Sequence, residues 1–353
     1  MNLKSIMWKY INEEHDLLQR QLASFRGAIL DPAIDTIYIV AHGSSYNAGV
    51  SLAAYISRLC NADVSVNTPD NFIANLDNSR KHAGRTAVIG ISQTGTSHGV
   101  IKAVEQAKEY FHIVTITNVP DSPMDRLADQ TVFLNCGEED SNAKTKGYSS
   151  TLLTLMLLAI ENGCHRGVIS QADKEKRVEN LKREIDQIPI VTAAAYDWCE
   201  KSGFGKGMGN VYVLGSGINF GTALEGQLKL METMCIPTMF NDILEFSHGM
   251  HRSINRDSHV ILINAGSEYS RELFVRTCDY LKGKTDHCIM INVADDAVSD
   301  PGVLNVPWFR DDDSLLLTVL IIQILSVYIP ELNGLDPNRD ANNDYTEVAE
   351  TRI

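Results

Sequence analysis

The chain has 353 residues, 44% of them hydrophobic, and its 31 basic against 45 acidic side chains leave a net charge of −14. That length suits two domains with a core each, and that charge repels a phosphate backbone, which argues against nucleic acid as a partner. The seven cysteines, Cys60, Cys136, Cys164, Cys199, Cys235, Cys278 and Cys288, form no CxxC pair and read as buried thiols of a reducing compartment.

The N-terminal stretch MNLKSIMWKYINEEHD meets charge too soon for a signal peptide. The longest apolar runs, Leu152 to Ile160 and Leu315 to Ile329, read as too short or too polar to span a membrane. A cytoplasmic protein with no membrane partner is therefore expected. Leu3 to about Phe25 is helix-periodic, with Ile6, Tyr10, Ile11, Leu17, Leu18 and Leu22 turned inward.

Short Val/Ile-rich runs then alternate with helical patterns: Thr36 to Ala41, Ala62 to Asn67, Thr86 to Ser92, His112 to Thr117 and Thr131 to Leu134. Such alternation predicts βαβ units on a parallel sheet. From Gln171 to about Trp198 the chain turns charged and helical, as a linker would. Strands are expected again at Val211 to Leu214, Val260 to Asn264 and Cys288 to Asn292, and an apolar helix, Ser314 to Tyr328, closes the second half.

The halves match. IYIVAHGSSYNAG at Ile37 parallels VYVLGSGINFG at Val211, TAVIGIS at Thr86 parallels SHVILIN at Ser258, and HIVTIT at His112 parallels HCIMIN at His287. Three blocks in order, with Gly43 matched to Gly215 at an offset of 172 and the other two at 172 and 175, argue for an internal duplication.

The differences between the copies then carry information. SQTGTS places Ser92, Gln93, Thr94, Thr96 and Ser97 before a helix, where hydroxyls and free N–H groups meet the positive end of the dipole, a cradle for phosphate. Ser44 and Ser45 of the Gly43 turn would line it. Helices also use Ser and Thr as caps, but this loop has more than a cap needs. The matching stretch, Asn264 to Glu268, has fewer hydroxyls and a carboxylate, so one phosphate site is expected, in the first half.

Gly221 to Gly249 gathers acids, an ammonium and an imidazole. Leu224, Leu228, Met231 and Cys235 draw an apolar stripe for a core to bury, and Glu225, Lys229 and Glu232 share the face beside it. Glu245, His248 and Gly249 follow. Glu245, His248 and His251 are spaced as zinc ligands on a helix would be, but Gly249 interrupts that helix and no HExxH or Cys pair accompanies it. GSGINFG at Gly215 has the wrong spacing for a dinucleotide turn, and only Asp242 stands near where a ribose would need an acid. No metal and no cofactor are expected.

At GSSYNAG, SQTGTS, AKTKGYSSTL from Ala143, ALEGQLKLMET from Ala223 and EFSHG from Glu245, the sequence resembles the sugar isomerase (SIS) domain family. It is most similar to the double-domain isomerase half of glucosamine-6-phosphate synthase and to its deaminase and deglycase relatives. The resemblance implies two tandem flavodoxin-like, doubly wound α/β domains: an N-terminal helix over 1–30, a phosphate-binding domain over 31–168, a linker over 169–204, a catalytic domain over 205–332 and a tail over 333–353. It implies phosphate binding by Ser45, Ser92, Gln93, Thr94 and Ser97. Glu225, Lys229 and Glu232 match the family's catalytic helix, and His248 its ring-opening histidine, which reaches the site from the neighbouring subunit of a homodimer.

Three departures qualify the match. Residue 2 is Asn2 rather than a nucleophilic Cys, and no amidotransferase domain is seen, so glutamine-dependent synthesis is not expected. The tail from Asn333 to Ile353 lacks the synthase's Schiff-base lysine. Lys144 stands where the family commonly has Ser, so Lys144 and Lys146 bring two cations near the expected pocket, suited to a second anionic group on the substrate. The expected activity is aldose–ketose proton transfer on a 6-phosphorylated (amino) sugar, with or without loss of ammonia or an amine. Glu232 would be the base and Lys229 and Glu225 would organise the site. A sugar-phosphate-binding regulator without chemistry is the alternative.

Overall fold

The computed structural model describes residues 5–352, apart from the side chains of His82 and Ala83. Asn2 and the expected helix start at Leu3 lie outside the described residues. Helix α1 (Ile6–Ser24) leads into the first α/β unit: β1 (Thr36–Val40), α2 (Gly43–Cys60), β2 (Asp63–Asn67), α3 (Pro69–Ala74), α4 (Leu76–Ser79), β3 (Thr86–Ile91), α5 (His98–Ala107), β4 (His112–Thr117), β5 (Gln130–Phe133) and α6 (Lys146–His165). The charged stretch forms two helices, α7 (Gln171–Ile185) and α8 (Ile188–Ser202), with Pro189 in the first turn of the second, where its missing N–H costs nothing. Then come β6 (Val211–Gly215), α9 (Phe220–Met234), β7 (Thr238–Asp242), α10 (Ile243–Phe246), β8 (His259–Asn264), α11 (Glu268–Lys282), β9 (Cys288–Val293), β10 (Val303–Val306), α12 (Leu315–Leu332) and α13 (Tyr345–Val348).

Two five-stranded sheets result, ordered β2-β1-β3-β4-β5 and β7-β6-β8-β9-β10, with every pairing parallel. The strand order is the same in both, the flavodoxin-like arrangement, so the duplication legible in the sequence is a duplication of topology. All six residues of β3 and all six of β8 are buried, as strands covered on both faces require. At the first turn of each copy the backbone is left-handed at Gly43 (φ 54°) and Gly217 (φ 56°). The conformational match therefore falls on Gly217 rather than on Gly215, whose own role is to let the carbonyl of Asn219 approach within 2.3 Å of where a Cβ would stand.

The compact units do not follow the midpoint of the chain. One comprises 1–15, 140–145 and 180–339, and the other 16–139, 146–179 and 340–353. Their boundary falls inside α7. Helix α12 has a mean hydropathy of 2.1 over 18 residues, enough by length and composition to cross a membrane, which corrects the reading of that run as too short or too polar. Leu315 to Pro330 are all buried within the protein, each apolar side chain contributing about 1.5–3 kcal/mol by leaving water. The seven cysteines are free thiols; Cys60, Cys136, Cys199 and Cys278 are buried and Cys235 is exposed.

Candidate functional site

In the unit built on the first sheet, the strand order reverses between β1 and β3, and right-handed connections carry α2 and α5 to opposite faces. The carboxyl ends of the strands at such a reversal are the usual ligand position in this kind of sheet. The loop after β3 lies there. Ser92 Oγ accepts the N–H of Gly95 at 3.1 Å, and the hydroxyls of Thr94 and Thr96 are 2.9 Å apart. Gly95 has φ 69°, and a Cβ there would stand 2.2 Å from Ser122 Oγ, so only glycine closes this turn.

Ser97 is the N-cap residue of α5, yet its side chain makes no cap hydrogen bond. Ser45, in the first turn of α2, is half-buried with no hydrogen-bond partner among the described residues, and Ser44 lies beside it. Gln93 is held from behind. Its Nε2 lies 3.4 Å from Glu139 Oε2, which also accepts the N–H of Gly147 at 3.0 Å. A Cβ on Gly147 would come within 2.3 Å of that carboxamide. Lys146 is buried in the same neighbourhood, its charge acting on Cys136.

The matching loop of the second sheet is committed differently. Ser267 accepts the N–H of Ser270 as a working cap of α11, and Asn264 donates to Asn292 at 2.8 Å. Where the first copy leaves its cap hydroxyl unengaged, the second uses it for structure.

The other unit carries α9, and here the expected stripes exchange places. Leu224 and Leu228 are half-buried and Met231 and Cys235 exposed, whereas Glu225 and Lys229 have no exposed surface at all. The reason is their pairing: Lys229 Nζ lies 2.7 Å from Glu225 Oε1, and an ion pair so joined can be enclosed where a single charge could not. Gly226 between them lets α9 close on Val213 and Ile322. Glu232 lies on the same side two turns on from Glu225. It is exposed to solvent, yet desolvation by the protein around it raises its carboxyl to about 7, Lys229 opposing the rise, Glu225 adding to it and Lys144 opposing it.

Lys144 reaches this position on a segment pinned at both ends. Asn142 bonds to Asn338 and to the carbonyl of Arg339, and the carbonyl of Thr145 accepts from Gln323. Nothing in the sequence pattern pointed to these anchors, nor to Glu139. His248 stands on the exposed turn after α10; its N–H bonds to the carbonyl of Glu245, and its side chain has no hydrogen-bond partner among the described residues. Gly249 beside it has φ 149°, and His251 turns to the carbonyl of Phe246. The structure thus groups Glu225, Lys229, Glu232 and Lys144 in one unit, and Ser45, Ser92, Gln93, Thr94, Ser97 and Lys146 in the other. His248 belongs to the unit of Glu225, Lys229 and Glu232, with no side-chain hydrogen bond or ion pair to them among the described residues.

The SIS domain family model matches residues 33–161 and 207–300. A glutamine–fructose-6-phosphate aminotransferase (isomerizing) of Fusobacterium nucleatum is 29% identical over 322 residues, 88% of this chain and 51% of the relative. The chain spans about half the length of the curated relatives it matches. A candidate phosphosugar isomerase of Clostridium difficile has a similar structure, with TM-score 0.89, 26% identity and 98% and 99% of the two chains covered. The C-terminal domain of the glucosamine–fructose-6-phosphate aminotransferase of Francisella tularensis matches at TM-score 0.84, 19% identity and 96% and 99% coverage, a likeness of fold.

Proposed function

The chain belongs to the SIS-domain family, and from that premise we propose that it is an enzyme moving a proton between C1 and C2 of a 6-phosphorylated ketose or amino sugar. The observation that carries this reading is Glu232, a carboxylate open to solvent and raised to about 7 beside the enclosed Glu225–Lys229 pair. A base for aldose–ketose interconversion must take and return a proton near neutral pH, which a carboxyl in its ordinary range does poorly.

In this mechanism Glu232 removes the proton from one carbon and returns it to the other through an enediol or enolamine. Lys229, fixed by Glu225, keeps a positive charge beside the oxygen or nitrogen where negative charge develops. Ser45, Ser92, Gln93, Thr94 and Ser97, with Ser44 alongside, hold the phosphate, whose binding energy orients the reacting carbons. Lys144 and Lys146 supply cations for a further anionic group, as on a sugar joined to an amino acid. His248 opens the sugar ring in a partner's site, which makes the working form a homodimer. With an amine at C1 or C2 the same proton transfer leads on to loss of ammonia or of an amino acid, as in a deaminase or a deglycase. The test is a panel of fructose 6-phosphate, glucosamine 6-phosphate and fructosamine 6-phosphates in deuterated water. Deuterium at C1 or C2 of at least one of them is expected, and no exchange with any would overturn the reading.

A further inference from the structure

We propose that His42 is a further ligand of the substrate phosphate, a specificity-determining imidazole that takes up a proton when the phosphate dianion binds. The proposal rests on the sugar-phosphate reading above and adds to it a residue outside the hydroxyl cradle.

The geometry comes from both of the strand ends that meet at the order reversal. His42 ends the turn after β1 as the N-cap residue of α2, and its imidazole does not cap that helix. It is laid instead against the first turn of α5: its Nε2 lies 2.7 Å from where a Cβ on Gly99 would stand. Gly99 is the second residue of α5, two after Ser97, so the absence of a side chain there leaves the imidazole its seat beside the loop that opens with Ser92. Ser45 follows three residues after His42 on the same turn. The strand loops that meet at the order reversal therefore contribute an imidazole and a hydroxyl from one side and the SQTGTS groups from the other.

The charges around it suit a ligand-gated proton. His42 keeps an exposed surface, and the partial desolvation of its imidazole holds it below its ordinary value, with the charge of Asp70 on α3 opposing, so at neutral pH the free protein carries it largely uncharged. The other titratable groups at this end are His98 on α5, whose Nδ1 faces the carbonyl of Glu350, and Glu350 and Arg352 of the terminal stretch, where Thr351 accepts the N–H of His98 and Ser97 bridges to Arg352. Arg352 is the permanent cation among them, and it stands on the terminal stretch rather than on the turn after β1. A dianion in the cradle adds two negative charges beside the imidazole and draws a proton onto it, converting a neutral contact into a charge-assisted hydrogen bond. The charge of Asp70, which already favours the protonated ring, stabilises the resulting imidazolium.

The experiment titrates the full chain with fructose 6-phosphate by calorimetry at several pH values, each in two buffers of different ionisation enthalpy. Wild type is expected to take up protons beyond those of the ester's own ionisation. His42→Gln is expected to lose that uptake and to bind on the order of tenfold more weakly, the usual scale for one charge-assisted hydrogen bond. Gly99→Ala, which crowds the imidazole while leaving His42 in the chain, is expected to reduce uptake and affinity in the same direction. Equal affinity and equal uptake in wild type and His42→Gln would overturn the proposal while leaving the cradle intact. Failure of wild type to bind either fructose 6-phosphate or inorganic phosphate would overturn the phosphate reading itself, and His42 with it.

Discussion

Lys229 Nζ and Glu225 Oε1 lie 2.7 Å apart one helical turn from each other, both side chains wholly enclosed. Removing one partner strands the other charge in a poorly solvated place, so Lys229→Met should cost about 3–5 kcal/mol of folding stability. Replacing both, as Glu225→Leu with Lys229→Met, should recover most of that loss while leaving the protein without activity. Urea unfolding followed alongside deuterium exchange at C1 and C2 separates the two effects, and equal stability of the single variant and wild type would show the pair to be dispensable for the fold.

As the proposed base, Glu232 should set the acid side of the rate profile. A base whose folded value is about 7 is protonated and idle below that pH, so kcat/KM should climb as pH rises toward 7 and level off above it. Lys144 opposes the rise; Lys144→Ser should therefore move the limb to higher pH. Glu232→Gln should lose about 10²-fold or more in kcat with the phosphate still bound. An unmoved limb in Lys144→Ser would remove the lysine from the site's electrostatics.

The two homologous loops allow a paired test. Ser92→Ala with Thr94→Ala in the first should raise KM for a phosphorylated substrate strongly. Ser267→Ala in the second should leave KM alone and cost about 1 kcal/mol of stability, since it removes a working cap. Unchanged KM in the first pair would dismiss the loop as the phosphate site.

His248 and Glu232 should complement each other in mixed dimers. Glu232→Gln and His248→Ala are each expected to be inactive alone. After subunit exchange the activity should approach about a quarter of wild type, because half of the dimers are then mixed and each holds one complete site. If mass spectrometry shows exchange and no activity returns, the histidine does not act across an interface.

A buried acid pair gives the fold its own pH dependence. Glu184 Oε1 accepts the N–H groups of Leu316 and Leu317 at the start of α12. Burial is the first cause holding Glu184 well above its usual range and Asp312 at about 7. In the unfolded chain both are ordinary carboxyls, so between about pH 4 and pH 7 the folded form binds more protons and stability falls as pH rises. Glu184→Gln keeps the acceptor oxygen without a titrating proton, and its midpoint for unfolding should vary less over that interval. An identical slope would clear this pair of the effect.

Strands and repeat were legible because their signal is local: β1 to β5 were expected within a residue or two of their ends from runs of Val and Ile. β10 was not anticipated, for Val303 to Val306 is four residues with a polar Asn305 and takes its register only from β9. The stripe on α9 was misjudged for a physical reason. Periodicity sorts side chains by polarity, while burial here was decided by the pairing of Glu225 with Lys229, which no pattern in one helix shows. The same holds for Glu139, whose value lies in bonding Gln93 and Gly147 from 46 and 8 residues away.

The assignment of Asp140–Thr145 to the unit that also contains Asn180–Arg339 bears on how the duplicated chain can be taken apart. A gene split between the two repeats would strand the Lys144 segment on the wrong polypeptide, leaving Asn338 and Gln323 without their tethers and Glu232 without one of its two neighbouring cations. Separate expression of either half should therefore yield a fragment that recovers its native form only when the complementary fragment is supplied.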